Sequence, residues 1–215
     1  MSCAWCGGLR RDGSAGRYRS SSIWCWPHFF SPGGWITAPD AEVLIVGAGA
    51  SGLGVGAALA RRGIRPLLLD RDTEVGGTWA RRYDRLHLHT VRRFSGLPYH
   101  PVPRTLPRYV PTKSYAKYLA DYARQFQLDV RPGQPVRRIR RGDIGSVVET
   151  DRKWRAHAVV IAMGRHNLPR LPDWPGVNEF RGRVRHRRGY ANGYLPSGKR
   201  ALVSGIGNSG AEIAA

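Results

Sequence analysis

Two hexapeptides have the residue types and spacing that handle phosphate groups. Gly47-Ala48-Gly49-Ala50-Ser51-Gly52 and Gly205-Ile206-Gly207-Asn208-Ser209-Gly210 both read G-x-G-x-x-G. In such a turn the first glycine lets the chain leave a strand sharply. The second lets the backbone approach a pyrophosphate, and the third lets the next helix pack on the sheet. The phosphates then meet free N–H groups and the positive end of the helix dipole. The hexapeptide alone is a weak sign. The first copy is strengthened by Asp70, 18 residues after Gly52 (70 − 52) at the end of an apolar run, where an acid can accept a ribose hydroxyl. The second copy begins 158 residues after the first (205 − 47), with no second strand or ribose-binding acid left to check it. A dinucleotide site is expected at the first turn and a candidate one at the second. A purely structural glycine turn is the alternative at each.

These turns need strands and helices to aim them. Val43-Leu44-Ile45-Val46 is a short β-branched run suited to a buried parallel strand. Leu53 to Arg62 reads as a helix closed by Gly63, and Pro66 to Leu69 as the second strand of a βαβ unit. Thr112 to Gln127 predicts an amphipathic helix with Tyr115, Tyr118, Leu119, Tyr122 and Phe126 on one face, capped by Thr112 or Ser114. Further strands are expected at 136–140, 146–150 and 158–163, the last through a buried Val159-Val160-Ile161-Ala162 run. Pro169, Pro172 and Pro175 mark a linker, and a strand at 201–204 should lead into the second turn.

Composition narrows the classes. Hydrophobic residues make up 41% of the 215, enough for a sizeable core. Lys and Arg number 35 against 15 Asp and Glu, a net charge of +20. That excess favours anionic partners, but it is spread along the chain rather than held in one tract. No specific nucleic acid is expected, although a basic nucleic-acid module or a vestigial fragment remains the reading from another class. Cys3, Cys6 and Cys25 all precede the first strand, which fits a reducing, cytoplasmic setting. With His28 they have the elements of a zinc site, but the surrounding sequence does not read as a knuckle, and no metal is expected. No apolar run reaches the length of a membrane span. Residues 1–39 show no helix or strand period and are expected to be an irregular or disordered extension.

Between the two turns the chain resembles the flavin-containing monooxygenases, including the indole-pyruvate type and its bacterial relatives. Glu74-Val75-Gly76-Gly77-Thr78-Trp79 is similar to the family's E-x-G-G-x-W segment. Tyr83 to Thr90 resembles the segment that reaches the isoalloxazine ring, with His89 where relatives place Asn or His. Ala162-Met163-Gly164 resembles the A-T-G motif between domains, with Met163 in place of Thr. Phe180, Gly182, His186 and Tyr190 fit the fingerprint F-x-G-x-x-x-H-x-x-x-(F/Y), in which His186 reads as a structural histidine rather than a base.

The resemblance implies an α/β protein: a Rossmann-like FAD-binding domain with a parallel sheet at 40–168, then at 169–215 a linker and the start of an NADPH-binding Rossmann domain. A nucleotide-binding unit needs about thirty residues, and only 16 follow Lys199 (215 − 199), so that second domain is expected to be incomplete. An exposed strand edge and apolar surface should result. The resemblance further implies FAD contacts at Gly47, Gly49, Ala50, Ser51, Gly52, Asp70, Arg71, Gly77, Thr78, Trp79, His89, Thr90, Val136 and Gly164. NADPH contacts fall on Gly205, Gly207, Asn208, Ser209 and Gly210. The implied activity uses FAD, NADPH and O2 to oxygenate a small molecule at nitrogen, sulfur, a ketone or a keto acid. No catalytic side chain is singled out, because the cofactor carries the hard step. A flavin reductase without oxygenation is the runner-up. Its redox cysteine pair would have to be Cys3 and Cys6.

Overall fold

The computed structural model describes residues 38–143, 145–165, 168–190 and 200–214. Strand β1 (Ala41–Val46) is the centre of a six-stranded sheet. It runs parallel to β2 (Leu67–Leu69) on one side and to β8 (Lys153–Ile161) on the other. Strand β5 (Asp129–Arg131) extends the parallel part beyond β2. Strands β6 (Arg138–Arg141) and β7 (Ser146–Glu149) join β8 in antiparallel pairing, giving the order β5-β2-β1-β8-β7-β6. The sheet is therefore mixed. Its parallel half carries the glycine turn, as expected, and an antiparallel meander completes it.

The apolar run of β1 is continuous because both its faces are covered. Val43 and Ile45 pack with Leu68 under helix α1 (Ala50–Ala60) and helix α3 (Thr112–Gln125). Leu44 and Val46 pack on the opposite face with Leu67, Leu69 and the meander residues Val148, Trp154 and Ala156. In α3, Tyr115, Tyr118, Leu119 and Tyr122 form the expected buried stripe. The Tyr118 hydroxyl donates to the His100 carbonyl at 2.5 Å and accepts from the Leu97 amide at 2.7 Å. The Tyr122 hydroxyl donates to the Pro98 carbonyl at 2.8 Å. These bonds let phenols sit inside the core without an unpaired polar atom.

Helix α1 ends as anticipated at Gly63, which has φ +82°. The Gly63 amide donates to the Ala60 carbonyl and the Ile64 amide to the Leu59 carbonyl, the paired bonds of a Schellman motif. A short helix α2 (Gly77–Ala80) and a two-stranded sheet of β3 (His87–Val91) and β4 (Tyr109–Pro111) lie between β2 and α3.

Several expectations are corrected. Neither Thr112 nor Ser114 caps α3 with its side chain: the cap position is Pro111, and the Thr112 amide is taken by the Leu86 carbonyl at 3.1 Å. The strand expected at 136–140 begins two residues later, at Arg138. The strand expected at 158–163 begins at Lys153 and ends at Ile161, because its early half pairs with β7. Ile161 is 63% exposed rather than buried. Residues 201–204 form no strand, since no described strand lies beside them to complete a ladder. Leu202 and Ile206 there are almost fully exposed, and Met163, Leu168, Leu171 and Phe180 add to the expected exposed apolar surface. The readings for residues 1–37 lie outside the described residues.

Candidate functional site

The first glycine turn follows β1 directly. Gly47 has φ +104°, a conformation open to glycine and strained for other residues. A Cβ on Gly47 would lie 2.4 Å from the Ala162 carbonyl oxygen, and one on Gly52 only 1.9 Å from the Gly47 oxygen. Gly49 differs: a Cβ there meets nothing within 4 Å. The fold thus requires glycine at Gly47 and Gly52, but leaves the space in front of Gly49 empty. That open space at the start of α1 is what close approach of a phosphate needs.

A cavity of about 580 Å³ opens over this turn. Of the residues expected to meet FAD, it brings together Gly47, Gly49, Ala50, Ser51, Asp70, Arg71, Gly77, Thr78, Trp79, Val136 and Gly164. Gly52 lies just behind, closing α1 onto the turn. His89 and Thr90 do not line it. The Thr90 hydroxyl is bonded to the Ser95 hydroxyl at 2.7 Å. His89 meets the second glycine turn instead: its Nε2 lies 3.1 Å from Glu212 Oε1, and Asn208 Nδ2 lies 2.7 Å from its Nδ1.

Asp70 ties the cavity floor together. Its Oδ2 accepts from the Ala48 amide at 2.6 Å and its Oδ1 from the Asp72 amide at 2.8 Å. Asp72 in turn accepts from the Thr78 hydroxyl at 2.8 Å and pairs with Arg81 at 2.5 Å. This carries the restraint from β2 into α2. The Gln134 amide donates to the Asp70 carbonyl at 2.7 Å and the Gly133 amide to the Asp72 carbonyl at 2.8 Å. Those two bonds bring Gln134, Pro135 and Val136 to the wall. Trp79 is propped by Tyr115 in an edge-to-face contact at 5.3 Å.

Sequence reasoning missed part of the wall. Arg82, Arg187 and Arg188 line the cavity together. Burial, and then repulsion from Arg187 and Arg188, holds the Arg82 guanidinium below its ordinary value. Gathering like charges in this way is stabilised when an anion joins them. The only sequence signal was local basic composition, which is common throughout this chain. His186 Nδ1 accepts from the Arg188 amide at 3.2 Å, holding the single turn Arg187–Gly189 that presents these arginines. The expected structural use of His186 is thus matched by a specific bond. Tyr190 packs edge-on against Tyr83 at 5.8 Å.

The second turn repeats the local geometry of the first. Gly205 has φ +107°, and a Cβ on Gly210 would lie 1.9 Å from the Gly205 oxygen. The Ala211 amide donates to the Gly207 carbonyl at 3.0 Å, as the Leu53 amide does to the Gly49 carbonyl at 2.9 Å. A helix α4 (Asn208–Ala214) follows. None of Gly205, Gly207, Asn208, Ser209 and Gly210 lines the cavity. No His, Cys, Asp or Glu cluster among the described residues could hold a metal. No described helix is long and apolar enough to cross a membrane.

Comparison with known proteins gives the lineage of this architecture. The pyridine nucleotide-disulphide oxidoreductase family matches residues 44–215. The chain is 37% identical over 181 residues to the indole-3-pyruvate monooxygenase YUCCA1 of Oryza sativa subsp. japonica, covering 79% of this chain and 43% of that protein. It is 36% identical over 194 residues to YUCCA6 of Arabidopsis thaliana, covering 83% and 44%. Among solved structures, a mutant flavin monooxygenase from Stenotrophomonas maltophilia superposes with a TM-score of 0.76 at 31% identity, covering 80% of this chain and 53% of that one. The chain spans less than half the length of these two curated relatives. The glycine turn, its sheet and these matches make the chain a member of the pyridine nucleotide-disulphide oxidoreductase family, similar in sequence and fold to flavin monooxygenases.

Proposed function

We propose that this chain binds FAD in the cavity over Gly47–Gly52 and serves a monooxygenase that uses NADPH and O2 to oxygenate a small molecule. The observation that carries the reading is the cavity itself. Its floor offers open backbone at Gly49, its side holds the Asp70 carboxylate, and its rim gathers Arg82, Arg187 and Arg188. That donor set fits a dinucleotide: amides and cations for the pyrophosphate, a carboxylate for a ribose hydroxyl, and the half-buried Trp79 for a flat apolar ring.

The chemistry FAD supplies when bound is reduction by NADPH and activation of O2. The chain's residues bind, orient and desolvate. Gly49, Ala50 and Ser51 present amides at the N-terminus of α1. Asp70, already held by two amides, keeps lone pairs for a ribose hydroxyl. Arg71 and Val136 flank that end of the cavity, and Gly77, Thr78 and Trp79 close its side. Gly164 borders it after β8. The turn at Gly205, Gly207, Asn208, Ser209 and Gly210 is the proposed NADPH contact, supported by the geometry it shares with the first turn. His89, on β3, faces this second turn, whereas the Thr90 hydroxyl is bonded to Ser95. Residues 40–168 would form the FAD domain, and 169–215 the linker and the beginning of the NADPH domain. A cytoplasmic location accompanies this reading, with oxidation of an amine, sulfide, ketone or keto acid as the substrate classes. The indole-pyruvate activity belongs to the named relatives.

The test is the visible spectrum of the purified chain titrated with FAD. Uptake near one equivalent, lost in Gly49→Ala, supports the reading. Folded protein that takes up no flavin overturns it.

A further inference from the structure

Helix α4 has an unusual means of support. It is seven residues long and contains no buried residue. A helix so short is not stable alone in water, and none of its residues belongs to either hydrophobic cluster of the core. Its long-range side-chain bonds come from polar groups. Glu212 accepts from the Tyr83 hydroxyl through Oε2 and lies 3.1 Å from His89 Nε2 through Oε1. Asn208 Nδ2 lies 2.7 Å from His89 Nδ1. Ser209 also bonds the Tyr83 hydroxyl. The three α4 residues Asn208, Ser209 and Glu212 therefore meet two side chains, Tyr83 and His89, with bonded pairs 119 to 129 residues apart in the chain.

The polarity is complementary. Asn208 Nδ2 is a donor, so His89 Nδ1 accepts, and the ring proton lies on Nε2 and points at the Glu212 carboxylate. One imidazole thus links side chains about one turn apart on α4, at positions 208 and 212, which share a helix face. Tyr83 is fixed from behind: it is buried and packs edge-on against Tyr190. Burial, then the bond to Glu212, holds the Tyr83 phenol above its ordinary value, so it remains a donor.

We propose that His89 is a positioning residue: with Tyr83 it forms a clamp that seats α4, and with it the second glycine turn, against β3 by polar side-chain bonds in place of a shared apolar core. His89 works through Asn208 and Glu212 and need not touch a cofactor to matter.

Pulse-labelling hydrogen exchange of the whole chain tests this without any cofactor. The amides of 211–214 should show protection in the parent chain. His89→Leu and Glu212→Ala should each lower it by about tenfold, the effect of one lost charge-assisted bond. The double variant should lose more than either single one but less than their sum, because only the His89–Glu212 link is common to both. His89→Asn should retain most of the protection, since an amide also offers one donor and one acceptor. Protection of β1 and α1 serves as the control for folding. Unchanged exchange at 211–214 in His89→Leu would overturn the clamp. So would loss in His89→Asn equal to that in His89→Leu, which would mean that packing by the ring, and not its hydrogen bonds, seats the helix. Failure of FAD to bind leaves this result intact, so the two readings fail separately.

Discussion

The Asp70 carboxylate accepts from the Ala48 amide at 2.6 Å, joining the end of β2 to the middle of the glycine turn 22 residues earlier. Ala48 is buried, and the bond itself is part-buried at the cavity floor. The acid that the dinucleotide reading assigns to a ribose therefore also has a structural duty before any ligand arrives. Asp70→Ala leaves the Ala48 and Asp72 amides without this partner. It should lower unfolding stability by about 1–3 kcal/mol even without FAD. Urea unfolding of the flavin-free chain checks this, and an unchanged midpoint would restrict Asp70 to ligand binding.

Gly49 and Gly52 should respond differently to alanine. At Gly52 the new methyl would lie 1.9 Å from a backbone oxygen, so the turn must open, at a cost of about 2 kcal/mol or more. At Gly49 the methyl enters open space. Gly49→Ala should keep the parent thermal midpoint while weakening FAD binding by at least about tenfold, because the methyl occupies the phosphate's approach. Calorimetry paired with flavin titration separates the two effects.

Alkaline pH should unfold the protein through its tyrosine stripe. Burial, then the neighbouring Tyr118 in each case, pushes the Tyr115 and Tyr122 phenols up to about 12 from an ordinary value of 10.0. The unfolded chain releases these protons near pH 10, while the folded chain holds them until about 12. In that window the folded state binds more protons, so stability falls as pH rises. Below pH 10 this contribution is fully present. Urea midpoints measured across the window should decline, and the decline should be shallower in Tyr122→Phe.

Tyr122→Phe also removes the bond to the Pro98 carbonyl. At neutral pH it should cost about 1 kcal/mol. Because the ring contact with Phe126 at 4.6 Å is retained, the loss should be smaller than for Tyr122→Ala, at about 3–5 kcal/mol. Chemical denaturation of the two variants side by side provides the comparison.

The sequence by itself determined the local parts of this protein. Gly47, Gly49 and Gly52 announced a turn that the backbone then adopts, because steric limits on φ and on close approach act between near neighbours. Val43 to Val46 announced a strand buried on two faces, and the spacing of Tyr115, Tyr118, Leu119 and Tyr122 announced one face of a helix. The same local rules shaped the Gly205 turn correctly. They failed for 201–204, because a strand exists only when another strand supplies its hydrogen bonds. They failed for Ile161, whose burial depends on what covers the sheet at that point. Only the tertiary structure decided that Gln134, Arg82, Arg187 and Arg188 share a wall with Asp70, since bonds from the 133–134 amides and from His186 place them there. Only it decided that His89 faces Glu212 and Asn208 rather than the cavity. Those relations join residues scores of positions apart, and no period or motif in the chain encodes the distance between them. They arise when the sheet brings its strands into register and the polar groups left over must find partners in space.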